Sequence, residues 1–171
     1  MQRLPSGPRL KMTTVICQNG WMTTLDTKKW FDRMQPQTLQ IATWLLYLNG
    51  FFALVSTFDK TGYLGYIRFR YTAGLLIDLA VVAVHVLGGF LMANDRKLGY
   101  RLALVAAFSP FVLRSIAMAD LRSNYDISMS FFDFVLGRPL GGGLLTVIFD
   151  VALVALLLHR QSREHQRIWY H

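Results

Sequence analysis

The chain has 171 residues, of which 53% are hydrophobic and only 16% charged, and its formal net charge is +8. A soluble domain of this length leaves much of its surface in water and could not bury so many apolar side chains, so composition excludes that class. The single cysteine, Cys17, excludes an internal disulfide and a multi-cysteine metal site. Length and composition therefore predict a single membrane domain.

Residues 1–36 are predicted to form a cytoplasmic arm that ends in a short amphipathic, interfacial segment. Trp30 can sit at headgroup level while the neighbouring lysines face phosphates. Met12 and Met22 are each followed by Thr-Thr, so the sequence leaves open whether translation starts at Met1, Met12 or Met22. We expect the first apolar segment to act as its own insertion signal.

The apolar residues that follow fall into four continuous blocks, each close to the length that crosses a bilayer as a helix. The blocks are 38–58, 71–93, 100–119 and 142–159. Continuous rather than alternating hydrophobicity argues against membrane strands. The sequence thus predicts an all-α membrane protein, a four-transmembrane-helix bundle over residues 37–160, followed by a basic cytoplasmic tail over 161–171.

The connections between blocks differ in character. Residues 59–70 are rich in Tyr and Gly and are expected to form an interfacial aromatic belt, whereas the short stretch 94–99 predicts an antiparallel helical hairpin. The stretch 120–141 has too many apolar residues for a solvated loop and too few for a crossing. It is expected to form an interfacial or shallow re-entrant segment, ended by a Gly141–Gly143 hinge. Its apolar residues are Ile127, Met129, Phe131, Phe132, Phe134, Val135 and Leu136.

An internal similarity links the second and fourth blocks. The segment "IDLAVVAV" (77–84) aligns with "FDVALVAL" (149–156), and each carries an aspartate at its second position. This pattern suggests two tandem two-helix units related by an axis along the membrane normal.

The basic residues predict the orientation. Of the 18 Lys and Arg, twelve lie in the arm, the 94–101 connection and the tail, five lie in the two other connections, and Arg114 lies inside a block. By the positive-inside rule both termini are cytoplasmic in a multi-pass protein of the plasma membrane. The charge excess is therefore a membrane signature that adds attraction to anionic lipid, and no nucleic-acid partner is expected.

Four polar side chains inside the blocks converge on one depth. By helical rise, Asp78, Arg114 and Asp150 lie roughly 9–12 Å below the outer boundary, and Asn49 reaches a similar level. Intramembrane charges need a partner or a wet cavity. One interpretation is a structural clamp in which Arg114 bridges both aspartates while Asn49 completes the hydrogen bonds. The other uses the surplus carboxyl group to take up a proton or cation from outside.

His85 shares a helical face with Asp78, seven residues earlier. It is predicted to be a hydrogen-bonding core residue. The alternative is a haem ligand, with His159 of the fourth block as the opposite ligand. His165 and His171 lie in the tail, and nothing in the sequence around them indicates a ligand-binding or metal site.

The sequence contains no phosphate-binding loop, nucleophile elbow or HExxH motif, and its one glutamate is Glu164. We therefore expect a non-enzymatic membrane protein without cofactor or metal. The favoured hypothesis is an accessory subunit of a larger membrane assembly or a homo-oligomer. The first alternative is a small ion-coupled transporter that uses the Asp78–Arg114–Asp150 layer. The second is a redox or quinone-binding subunit centred on His85.

Overall fold

The computed structural model describes residues 28–32, 34–125, 130–140 and 143–170, and within these ranges the chain is helical with no strand. Several predictions fall outside the described residues. They concern the arm up to residue 27 with Cys17 and the candidate starts, Ile127 and Met129 of the outer segment, Gly141 and Gly142 of the hinge, and His171.

Seven α-helices and one 3₁₀ turn make up the described fold. They are α1 (Gln37–Asp59), α2 (Gly62–Arg70), α3 (Gly74–Ala93), α4 (Lys97–Tyr125), α5 (Phe131–Leu136), the 3₁₀ turn Arg138–Leu140, α6 (Leu144–Leu158) and α7 (Arg160–Trp169).

Three helices, α1, α3 and α4, are long and apolar enough to cross a membrane. The helices α6 and α7 meet at a 50° bend and make a fourth span only if the pair is counted as one. The 15 residues of α6 rise about 22 Å, which is less than the ~30 Å hydrocarbon core. These spans support a helical membrane protein. The predicted block 142–159 contains α6, and the bend at His159 lies at the end of that block.

Two segments that were expected to be irregular or solvated are packed helices. The predicted aromatic belt contains α2, whose Leu64 and Ile67 are almost fully buried. The predicted basic tail forms α7, and it buries Ser162 and the adjoining Tyr170. Both segments cover apolar surface at the ends of the longer helices, which is why local composition did not reveal them.

Helix α4 continues through Pro110 without interruption. Proline has no amide hydrogen, so the carbonyl of Ala106, one turn earlier, loses its helical donor. The Ser109 hydroxyl donates a 2.8 Å hydrogen bond to that carbonyl instead. The serine therefore satisfies the group that the proline leaves free.

The long helices alternate in direction, and neighbours pack closely. Helix α1 packs against α3 and α6, and α4 packs against the same two helices. At Gly88 of α3, an added Cβ would lie 3.0 Å from the backbone nitrogen of Ala103 in α4, so the glycine permits the close approach. The bundle therefore has two ends. The basic end carries Lys29, Asp95 and α7, and the α2 end carries α2, α5 and Asp120.

Candidate functional site

Two of the four predicted polar residues form a buried ion pair. Arg114 of α4 donates from Nη2 to Oδ2 of Asp150 in α6 at 3.0 Å, and the two side chains are only 6% and 5% exposed. The guanidinium carbon also lies 5.5 Å from the ring centre of Tyr63 in α2, which is cation–π distance. The pair thus joins three helices at one point.

Asp78 does not join this pair. Its side chain is completely buried, and neither carboxylate oxygen has a hydrogen-bond partner among the described residues. The predicted bridge from Arg114 to both aspartates is therefore not formed. Tyr63 helps to explain why, because its ring packs against the guanidinium that was expected to face both acids. Burial, followed by the charge of Asp150, raises the pKa of the Tyr63 phenol.

An inner cavity of about 320 Å³ lies between α1, α3 and α6. Phenyl and aliphatic side chains form much of its wall, with Pro110 of α4 and part of α2 completing it. Its polar wall consists of Asn49, Ser56, Tyr63, His85, Thr146 and Asp150. Two residues of the predicted layer, Asn49 and Asp150, therefore face one space together with His85. Asp78 is not among the described residues that line this cavity.

An outer cavity of about 370 Å³ adjoins the inner one at the α2 end. It is lined by Arg114 together with Thr61, Gly137 and Leu140. The two cavities share four wall residues, which are Ser56, Tyr63, Leu64 and Thr146. The two cavities are therefore neighbours, with Arg114 in the wall of the outer one and His85 in the wall of the inner one.

A larger groove of about 600 Å³ runs between α3 and α4 but is almost wholly apolar. Its wall includes Val84, Leu104 and Phe108, and Ser109 is its one polar side chain. The Ser109 hydroxyl already donates to the Ala106 carbonyl, so the described wall of this groove offers little that would orient a polar ligand.

The hydrogen bonding of His85 fixes the character of its free nitrogen. Nδ1 lies 2.8 Å from the carbonyl oxygen of Val81, one turn earlier, and must carry a hydrogen to make that contact. In the neutral ring Nε2 is then an acceptor. Within the described ranges, buried Nε2 has no partner, and the same holds for Nδ2 of Asn49. Both side chains line the inner cavity.

The histidine pair proposed for haem is not brought together. His159 lies at the bend between α6 and α7, where it is exposed and its Nδ1 accepts a hydrogen bond from the amide of Gln161. It is not one of the described residues around the inner cavity. No group of three or more His, Cys, Asp or Glu that could hold a metal occurs in the described part of the chain.

Sequence reasoning missed three polar residues of the inner cavity's described wall, which are Ser56, Tyr63 and Thr146. Ser56 follows Asn49 by seven residues on α1, and Thr146 precedes Asp150 by four on α6, so helical spacing placed each on the face already singled out. Tyr63 carried no such signal. It belongs to a short Gly- and Tyr-rich segment, and only the packing of α2 puts its ring beside Arg114.

Comparison of the chain with protein-family models, with curated proteins and with solved structures finds no match. The function is therefore argued from the site alone.

Proposed function

We propose that the protein is a four-span integral protein of the plasma membrane and that it binds a small ligand inside its helical bundle. The four spans are α1, α3, α4 and the bent pair α6–α7. Their alternating directions place Lys29 and α7 together at the basic end, which the distribution of Lys and Arg assigns to the cytoplasm. The two-helix repeat, with Asp78 and Asp150 at equivalent positions, belongs to the same proposal.

One observation carries the binding function. Asn49 and His85 each present a buried polar atom without a partner in the described structure, and both line the inner cavity. Leaving such an atom unsatisfied costs about 1–3 kcal/mol. Buried polar atoms normally have a hydrogen-bond partner in the protein or in an ordered molecule. Two unpartnered atoms on residues that line one cavity therefore favour a bound molecule there. The adjoining outer cavity provides its access route from the α2 end.

Cysteine accessibility tests this proposal. In a Cys17→Ser background, Ser56→Cys places a thiol in the wall that both cavities share, whereas Thr43→Cys places one on the same helix at a buried packing position. A membrane-impermeant thiosulfonate reagent applied from the α2 side should label Ser56→Cys much faster than Thr43→Cys. Equal, slow labelling of both thiols would contradict an open cavity.

Asp78 favours a second candidate, a small ion-coupled carrier. Its carboxyl group is completely buried and unpaired within the described structure, and an ionised carboxylate in a membrane helix costs about 3 kcal/mol. A group of this kind is suited to carry a proton. Proteoliposomes under an imposed potential should then take up protons, and Asp78→Asn should abolish the uptake while Ser109→Ala, in the apolar groove, leaves it unchanged. Wild-type vesicles that take up no protons would refute this candidate.

The accessory-subunit or homo-oligomer hypothesis also remains a proposal. The phenyl rings of Phe131 and Phe132 on α5 are largely exposed and would suit a neighbouring membrane subunit. Native mass spectrometry of the protein released from its own membrane measures this directly. A stoichiometric complex with another polypeptide would support an accessory role. An isolated monomer would contradict both the accessory-subunit and the homo-oligomer forms of the hypothesis.

A further inference from the structure

The wall of the inner cavity includes side chains that also reach the apolar outer surface of the bundle. Three of its wall residues, Phe52 and Val55 of α1 and Leu145 of α6, are 50%, 38% and 67% exposed. They lie on the outside of helices that the composition assigns to the membrane. A ligand with an apolar tail could therefore enter from the bilayer between α1 and α6.

The polar groups of the cavity define what the ligand must offer. Neutral His85 presents Nε2 as an acceptor, because Nδ1–H is engaged by the Val81 carbonyl. Asn49 presents Nδ2 as a donor. A hydroxyl group has the chemistry that both require, since it donates one hydrogen bond and accepts others. A carbonyl or ether oxygen would satisfy Asn49 alone.

The charges of the site favour a neutral headgroup. Asp150 is the charged residue in the described wall of the inner cavity, and Arg114 already pairs with it at 3.0 Å. An anionic headgroup would meet a cation that is already neutralised, and a cationic one would compete with Arg114. Aromatic rings of Phe52, Tyr63 and Phe149 also line the space, and a volume of about 320 Å³ accommodates a single substituted ring.

We propose that the inner cavity binds the headgroup of a membrane-soluble phenol. The phenolic hydroxyl donates to Nε2 of His85 and accepts from Nδ2 of Asn49, and the apolar tail leaves between α1 and α6. This inference rests on the ligand-binding function proposed above and names the class of its ligand.

Two matched probes test the role of the hydroxyl hydrogen. The phenol 4-nonylphenol and its methyl ether, 4-nonylanisole, have the same ring and tail, but the ether cannot donate to His85. Full-length Cys17→Ser/Ser56→Cys protein in phosphatidylcholine vesicles is titrated with each probe, and the rate of thiol labelling at position 56 is measured. We expect half-maximal protection at a phenol content about fivefold lower than for the ether, the factor that one net hydrogen bond contributes.

Two variants test whether the difference between the probes depends on His85. His85→Phe should remove the difference between the probes, because the acceptor is gone. Ser109→Ala, in the separate α3–α4 groove, should retain it. The comparison of the two probes on the protein with intact His85 decides the question even if His85→Phe does not fold.

The outcomes separate the two proposals. Labelling at position 56 that both probes slow equally overturns the phenol assignment and leaves the cavity as a binding site. Labelling that neither probe slows overturns the assignment too and points to a water-soluble occupant. If the thiol is unreactive without any probe, the ligand-binding function itself is wrong, and the inference falls with it.

Discussion

Replacing Arg114 by leucine should strand the Asp150 carboxylate inside the bundle. The ion pair is one of the few polar contacts between α4 and α6, and both side chains are at least nine-tenths buried. Removing one member of a buried pair costs about 3–5 kcal/mol, because the remaining charge keeps its desolvation penalty and loses its partner.

The expected loss of stability differs between the two substitutions because the two side chains have different surroundings. Asp150 borders the inner cavity and Arg114 the outer one, so water in these spaces can partly solvate the stranded charge. We therefore expect about 2–3 kcal/mol for Asp150→Leu. Arg114→Leu also loses the contact with the Tyr63 ring at 5.5 Å, which adds about 1 kcal/mol. The double variant strands no charge, so its cost should fall about 2 kcal/mol short of the sum of the single costs.

The assay is reversible unfolding in mixed micelles, with the free energy of unfolding measured for the wild type, both single variants and the double variant. The exposed pair Arg160–Glu164 on α7, with its 2.7 Å contact, provides a matched control cycle. Exposed pairs of this kind contribute little, so that cycle should show no measurable coupling. Coupling between Arg114 and Asp150 no larger than in the control would refute a stabilising buried ion pair.

Three further predictions follow from the packing and the ends of the helices. Gly99→Ala should lower the free energy of unfolding by about 1–3 kcal/mol, because its Cβ would overlap the backbone of Leu91 and Met92. Gly143→Ala has open space around its Cβ and loses only a favourable N-cap of α6, so it should cost less, about 0.5 kcal/mol; equal effects would contradict the tight α3–α4 turn. Tyr100→Phe removes the 2.6 Å hydrogen bond to the Leu157 carbonyl and should cost about 1 kcal/mol in the same assay, while Tyr125→Phe at an exposed site should cost nothing measurable. Partial burial disfavours the charged forms of Lys29 and Asp32. Their mutual hydrogen bond and their other partners favour the charged forms more strongly, so the pKa of Lys29 is raised and that of Asp32 is lowered. Their contribution to stability is then complete between the ordinary pKa values of 3.8 and 10.5 and is lost as pH falls or rises beyond them. The difference in melting temperature between wild type and Lys29→Met should therefore be constant from about pH 5 to pH 9 and shrink outside that window, and a difference that grows in acid would disprove the assignment.

The sequence predicted the long helices well where apolar residues run without interruption. The block 38–58 corresponds to α1, and the block 71–93 contains α3. The block 100–119 was too short, since α4 extends to Tyr125. The extra turns are polar and are held by α2, whose Tyr66 hydroxyl donates to the Asp120 carboxylate at 2.7 Å and whose Arg70 donates to Asn124.

Helices α2 and α7 differ in how far local patterns could have predicted them. Glycine and tyrosine give α2 little helical propensity, whereas α7 is rich in Arg, Gln and Glu, which favour a helix, and has an amphipathic pattern. Each helix exists because it covers exposed ends of the longer helices. The Tyr170 side chain, for example, packs with Tyr100, Leu39 and Leu157 in the core at the basic end.

The sequence by itself determined that this chain is helical with spans apolar enough for a membrane, and it predicted that Asn49, Asp78, Arg114 and Asp150 lie at similar depths. Those properties depend on apolar length and helical rise, which are local. Only the tertiary structure decided that Arg114 pairs with Asp150 and leaves Asp78 alone. The choice depends on helix rotation and on the ring of Tyr63, which arrives from a segment with no local signal. The cavity shared by Asn49, His85 and Asp150 has the same origin, because three helices must meet before their polar atoms can face one space.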